Sequence, residues 1–74
     1  MAYTQSDLDM ADRHVAQGER HIVEQRERIE KLADHGHPTE EAEHLLAMFE
    51  DLLRQHVAHR EQIAKDVLGA RRPG

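Results

Sequence analysis

Histidine is the residue type with the most potential chemistry in this chain, which carries seven histidines in 74 residues. His56 and His59 stand three residues apart, and His14 and His21 stand seven apart. On a helix, either spacing presents both imidazoles on one side. Neutral imidazoles suit zinc, copper, nickel and cobalt, and they also ligate haem. These four histidines are therefore the candidate ligands of a transition metal or a haem.

A structural interpretation of the same histidines competes with the metal site, and it is the one we favour. In it, His56 is a core-edge residue hydrogen-bonded to a neighbour, and Arg60 extends to solvent or pairs with Glu19. Di-iron sites in helical bundles use Glu-x-x-His pairs, but Leu53 stands where the glutamate before His56 would be. The spacings are also weaker signals than His-Glu-x-x-His. We therefore expect no resident cofactor, with a histidine-bound metal as the alternative.

Groups that carry out covalent catalysis are scarce. The chain has no cysteine, which excludes disulfides and thiolate metal sites. The hydroxyls of Thr4 and Ser6 lie near the start of the chain, and Thr39 stands at a predicted helix cap. There is no glycine-rich phosphate loop, and so short a helical chain offers no deep pocket. We expect a protein that is not an enzyme.

Two helices joined by one turn would position the histidines. Gly36 suits the left-handed position after a helix, Pro38 cannot continue one, and Thr39 can cap the next. Ser6 is the predicted cap of the first helix. The predicted boundaries are a helix over 6–35, a turn over 36–38, a helix over 39–69 and a tail over 70–74. Helices of equal length with a short turn predict an all-α fold, an antiparallel two-helix hairpin in a single domain.

Heptad periodicity predicts how the helices pack. Apolar residues recur every seven positions in the first helix, at Leu8, Val15, Ile22 and Ile29. With the turn centred on Gly36, this register pairs Ala11 with Ile63, Ile22 with Leu52 and Ile29 with Leu45. The same register places Gly18 opposite His56. Because glycine within a helix costs roughly 1 kcal/mol relative to alanine, we expect Gly18 to make room for the His56 ring.

The second helix is apolar over a wider arc than one neighbouring helix can cover. A lone hairpin also buries too little surface to offset the entropy of ordering its residues. We therefore expect two hairpins to pair as a homodimeric four-helix bundle, with docking onto another helical protein as the alternative. The predicted interface residues are Val15, Ile22, Ile29, Leu45, Leu46, Phe49, Leu52, Leu53, Ile63 and Val67.

Charge and hydropathy narrow the partners. Ten basic residues against fifteen acidic ones give a formal net charge of −5, which opposes binding to nucleic acid. No apolar run is long enough for a membrane span, and the first residues lack the features of a signal peptide. These patterns predict a cytoplasmic protein that acts without nucleic acid or membrane.

The segment 18–63 contains a set of short motifs, which are Gly36-His37 before Thr39, Leu45-Leu46, Phe49-Glu50 and His56-x-x-His59-Arg60. Through these motifs it resembles a group of short helical-hairpin proteins of alphaproteobacteria. Pro38 departs from the acidic residue expected before the cap, a change confined to the turn. The resemblance implies a bacterial cytoplasmic module for protein–protein interaction or regulation, and it implies no enzymatic activity.

Overall fold

The structure is a computed structural model that describes residues 2–71, and it consists of two helices packed against each other. Helix α1 spans Gln5–Asp34 and helix α2 spans Glu40–Arg71. The backbone N–H of Tyr3, at the start of the chain, donates to the Asp66 carboxylate near the end of α2 at 2.6 Å. The helices are therefore antiparallel, which confirms the predicted all-α hairpin.

Helix α1 begins earlier than predicted because its cap is Thr4 and not Ser6. The Thr4 hydroxyl accepts from the Asp7 backbone N–H at 3.2 Å, and the Asp7 carboxylate accepts from the Thr4 backbone N–H at 2.9 Å. This reciprocal pair is a capping box. Ser6 lies inside the first turn of α1, where the Thr4 hydroxyl already accepts the hydrogen bond of the Asp7 backbone N–H.

The turn closes α1 with a Schellman motif centred on Gly36. The His37 N–H donates to the Leu32 carbonyl at 2.8 Å, and the Gly36 N–H donates to the Ala33 carbonyl at 3.0 Å. Gly36 has a φ of +71°, as predicted for the residue after the helix. Thr39 immediately precedes α2, and its carbonyl accepts from the Glu43 N–H at 2.8 Å.

Helix α2 ends later than predicted. It continues through Gly69 to Arg71, so the first two residues of the predicted tail are helical. A glycine within a helix lowers helix stability by only about 1 kcal/mol relative to alanine. It ends the helix only where the backbone adopts the left-handed conformation of a turn. Residues 72–74, the rest of the predicted tail, lie outside the described residues.

The core between the helices is small. Ala11, Ile63 and Val67 form a buried cluster at the end of the hairpin away from the turn, with Leu8 packed against it. This confirms the predicted pairing of Ala11 with Ile63. Ile22 is the only other hydrophobic residue buried among the described residues.

One polar side chain is buried in the same seam. Gln25 is 5% exposed, and its Nε2 donates to the Ala42 carbonyl at 2.8 Å. This bond ties the middle of α1 to the first turn of α2. It gives Gln25 the position of the single buried polar residue that fixes register in coiled coils.

Only part of the predicted interface lies in this seam. Ile22, Ile63 and Val67 are buried. The half-buried members are Val15, Ile29, Leu46, Phe49 and Leu53. Leu45 and Leu52 are 36% and 48% exposed, because the apolar arc of α2 is wider than α1 can cover. Ile22 accordingly lines a groove with Leu53 rather than with Leu52.

Candidate functional site

A groove of about 220 Å³ runs along one side of the hairpin, between α1 and α2. His14 and His21 reach it from α1 because seven residues make about two helical turns. Leu52 and His56 reach it from α2, one turn apart. The described residues that line it are His14, Gln17, Gly18, His21, Phe49, Leu52, Leu53 and His56. None of these is Asp, Glu, Lys or Arg, so imidazole, amide and apolar groups form the groove.

An apolar stripe on α2 extends this groove towards the turn. Leu45, Met48 and Leu52 are 36%, 50% and 48% exposed. Their spacings of three and four residues place them on one side of the helix. The surface formed by the groove together with Leu45 and Met48 is called the histidine face below. The predicted interface omitted Met48, although its place three residues after Leu45 was a signal that could have found it.

His14 and His56 contact each other across the groove. Their ring centroids lie 5.5 Å apart, and the ring planes are tilted by 51°. His56 is half-buried and His14 is exposed. A Cβ at position 18 would lie 3.2 Å from Leu53 Cδ1. The predicted packing of the His56 ring against Gly18 is therefore wrong: Leu53 is the closest side chain there, and His56 contacts His14.

The other two predicted ligands have aromatic neighbours of their own. The His21 ring lies 5.8 Å from that of Phe49, and the His59 ring lies 5.9 Å from that of Tyr3, nearly perpendicular to it. The four histidines thus lie at three places along the hairpin. Within residues 2–71, no three His, Asp or Glu side chains are grouped closely enough to hold one metal ion.

Arg60 pairs with Asp12 and not with Glu19, the partner considered from the sequence. The Arg60 Nε–H donates to Asp12 Oδ1, and the hydrogen bond and the negative charge of Asp12 raise the pKa of Arg60 above its ordinary value. Arg60 is therefore charged throughout the accessible pH range. Both side chains are more than 40% exposed, so we expect little stabilisation from the pair.

The opposite side of the hairpin carries a groove of different chemistry, of about 370 Å³. Charged side chains make up most of its lining, and Arg26 Nη2 lies 3.5 Å from Glu50 Oε2. Its lining residues are Glu19, Ile22, Val23, Arg26, Glu50, Leu53 and Arg54. This surface is called the charged face below. The two grooves thus differ in chemistry: charged side chains make up most of the lining of one and none of the described lining of the other.

The turn holds two further histidines. The His35 and His37 rings stack with centroids 6.4 Å apart and planes 19° from parallel. His35 Nδ1 lies 2.7 Å from the Lys31 carbonyl, so that nitrogen is engaged with the end of α1. Both side chains are exposed and line a charged groove with Glu24, Glu27 and Arg28. This turn is a solvated polar surface.

Comparisons of this chain with models of known protein families, with curated proteins and with solved structures find no match. Within residues 2–71, neither helix has a stretch long and apolar enough to cross a membrane. The resemblance to alphaproteobacterial hairpin proteins stays a prediction. The histidine face is the candidate functional site because it joins exposed apolar side chains to a groove free of charged residues.

Proposed function

We propose that this protein is a small interaction module whose working form is a homodimer, with the histidine face as the surface that joins the two copies. Two antiparallel hairpins packed through this face would make a four-helix bundle with two-fold symmetry. The observation that carries the proposal is the exposure of Leu45, Met48 and Leu52 beside a groove without charged side chains.

The small core of one hairpin supports association. Four hydrophobic residues are buried, and no large side chain among the described residues is fully buried. Ordering each residue costs roughly 1.5 kcal/mol, which must be offset by burial of apolar surface. The four buried residues and the half-buried ones around them provide little of this burial, so we infer that more comes from outside the hairpin. A second copy supplies it without requiring another component.

The size and shape of the chain support the same conclusion. The accessible surface is 5959 Å², whereas a globular protein of this mass exposes about 4,700 Å². The radius of gyration is 17.1 Å, against about 11 Å for a compact domain of this length. The excess surface is on the order of the ~800 Å² that each partner buries in a standard interface. One side of a rod measuring 62 × 14 × 14 Å has about that area.

The distribution of charge indicates which side is covered. Burying the charged face against a copy of itself would desolvate Glu19, Arg26, Glu50 and Arg54, and removing such ions from water is costly. Burying the histidine face removes mainly apolar, amide and imidazole groups from water, and the charged side chains of the two adjoining grooves lie at its margin. A second copy is therefore accommodated better on the histidine face than on the charged face.

A matched pair of variants tests the proposal. Leu52→Asp places a carboxylate on the histidine face, and Val23→Asp places one on the charged face at a residue of similar exposure, 55%. We expect Leu52→Asp to shift the protein from dimer to monomer and to lower the free energy of unfolding by about 2–3 kcal/mol. Val23→Asp should change it by about 0.5 kcal/mol or less. Size-exclusion chromatography with light scattering and chemical denaturation provide the measurements.

Leu52→Ala is the second variant if Leu52→Asp does not fold, because alanine favours the helix and removes only apolar contacts. It should weaken the dimer while leaving the protein helical. Equal behaviour of Leu52→Asp and Val23→Asp would refute the histidine face as the interface. A wild-type monomer that becomes larger only with a different helical protein would replace the homodimer with a heterologous complex.

A further inference from the structure

We propose that His14 and His56 form a two-histidine site for a divalent transition-metal ion that bridges α1 and α2. Both ligands come from one hairpin, so the site needs no residue of a second copy. The groove that holds them is part of the histidine face, so in the proposed dimer the ion would lie at the interface. It narrows the four candidate ligands of the sequence to the two that the fold brings into contact. The ion is of the class that prefers imidazole: zinc, copper or nickel.

The separation of the two rings fits one ion between them. Metal–nitrogen bonds to histidine are about 2.0–2.1 Å long, so two imidazoles on a tetrahedral ion have ring centroids roughly 5 Å apart. The observed separation is 5.5 Å. His14 is exposed, so its side chain can rotate to close the small difference between the two separations without disturbing the core. In the single hairpin the groove is open to solvent, which gives an ion access and leaves room for water as the remaining ligands.

The surroundings favour these two histidines over the others. The His21 ring contacts Phe49 and that of His59 contacts Tyr3, each at a different level of the hairpin. Arg60, one helical turn after His56, is paired with Asp12. The groove itself holds no charged side chain among its described residues. Two imidazoles and water make an open site, selective for metals that favour nitrogen over calcium or magnesium, which favour oxygen ligands.

A metal bound across the two helices stabilises the hairpin by linkage. The unfolded chain does not hold His14 and His56 together, so the ion binds the folded state preferentially. At a concentration about 100 times the dissociation constant, the ratio of folded to unfolded protein rises roughly 100-fold. The signature of the site is therefore a metal-dependent rise in the unfolding midpoint that requires both histidines.

The test uses the full chain without a histidine tag, titrated with zinc or nickel chloride up to about 1 mM while thermal unfolding and binding heat are measured. We expect one ion per chain and a rise in the midpoint near pH 7.5, lost at roughly pH 5.5 because protons compete for the imidazoles. His14→Gln and His56→Gln should each abolish the rise. His44→Gln, at an exposed position of α2, and the double variant His35→Gln/His37→Gln should retain it.

Sedimentation of the same samples separates this site from the proposed dimer, because the metal-dependent midpoint can be present or absent in either assembly. His14→Gln keeps the test decisive if His56→Gln does not fold, since His14 is exposed. A midpoint that metal does not raise would overturn the proposal. So would a rise that His14→Gln retains, or one that only the turn variant abolishes.

Discussion

Gly36 sets the direction of the chain between the helices through its backbone conformation. Its φ of +71° lies in the left-handed region, which costs a residue with a Cβ roughly 1–2 kcal/mol. No atom lies within 4 Å of a Cβ built there, so the cost of Gly36→Ala is conformational and not steric. We expect Gly36→Ala to lower the free energy of unfolding by about 1 kcal/mol in chemical denaturation, and Gly36→Asn to lower it less. An unchanged midpoint for Gly36→Ala would contradict the left-handed turn.

For Gly18 we expect the opposite effect, a gain in stability when it is replaced by alanine. A Cβ there meets only Leu53, whose Cδ1 at 3.2 Å is the far end of a half-buried side chain between two open grooves. Because this methyl group can move aside, Gly18→Ala should gain most of the helix propensity of alanine, up to about 1 kcal/mol. A gain of that size raises the thermal midpoint by roughly 4–8 °C.

Gly69→Ala is the matched control for Gly18→Ala, because Gly69 is also helical and a Cβ at this position would meet no atom within 4 Å. It lies near the end of α2, so we expect a smaller gain. If Gly69→Ala stabilises the protein and Gly18→Ala destabilises it, Leu53 is packed too rigidly to move, and the close approach at Gly18 is itself important for packing.

At the residue scale, the backbone conformation that a residue requires could be predicted from the sequence better than the side chains that it contacts. Gly36 could be placed at the end of the first helix because a glycine suits the left-handed position there and Pro38, two residues later, cannot continue a helix. The cap was placed at Ser6 instead of Thr4 because serine and threonine are both good caps, and the reciprocal bond with Asp7 decides between them. The neighbour of Gly18 could not be predicted, because periodicity gives the side of a helix but not which side chain of the facing turn approaches.

At the scale of the helices, we expect Gln25 to fix how α1 and α2 are aligned. Its side-chain N–H donates to the Ala42 carbonyl, which lies within α2 and has a helical donor four residues later. Gln25→Leu would therefore leave no carbonyl unsatisfied while it adds apolar surface to the seam. We expect stability to be equal or higher by about 1 kcal/mol, with a mixture of assemblies in sedimentation velocity.

A loss of stability in Gln25→Leu, together with a single assembly, would show that the hydrogen bond contributes to stability and not to register. Gln62→Leu is the matched control, because Gln62 is an exposed glutamine that lines neither groove. It should leave the alignment of α1 and α2 unchanged.

The two helices and their antiparallel order could be predicted because heptad spacing and the 36–38 turn signals agree with each other. The depth of burial at individual positions could not. Leu45 and Leu52 were expected opposite Ile29 and Ile22, yet they are 36% and 48% exposed. Hydrophobicity shows that a residue favours burial, but it does not tell which neighbour buries it.

At the scale of the whole molecule, a single hairpin is a thin rod of 62 × 14 × 14 Å with exposed apolar side chains on the histidine face. Folding and association should therefore be coupled, as in other small chains that lack a sufficient core. The thermal midpoint should rise with protein concentration, because dilution favours separate and less stable chains. A midpoint that is independent of concentration would indicate a hairpin that folds alone.

Sedimentation equilibrium of the unmodified chain, from about 1 to about 100 µM, tests the central claim most directly. The account predicts a mass of twice the chain mass of 8.6 kDa at the upper concentrations, with helical circular dichroism decreasing as the dimer dissociates on dilution. A species of 8.6 kDa that stays helical and unfolds cooperatively across the whole range would contradict it.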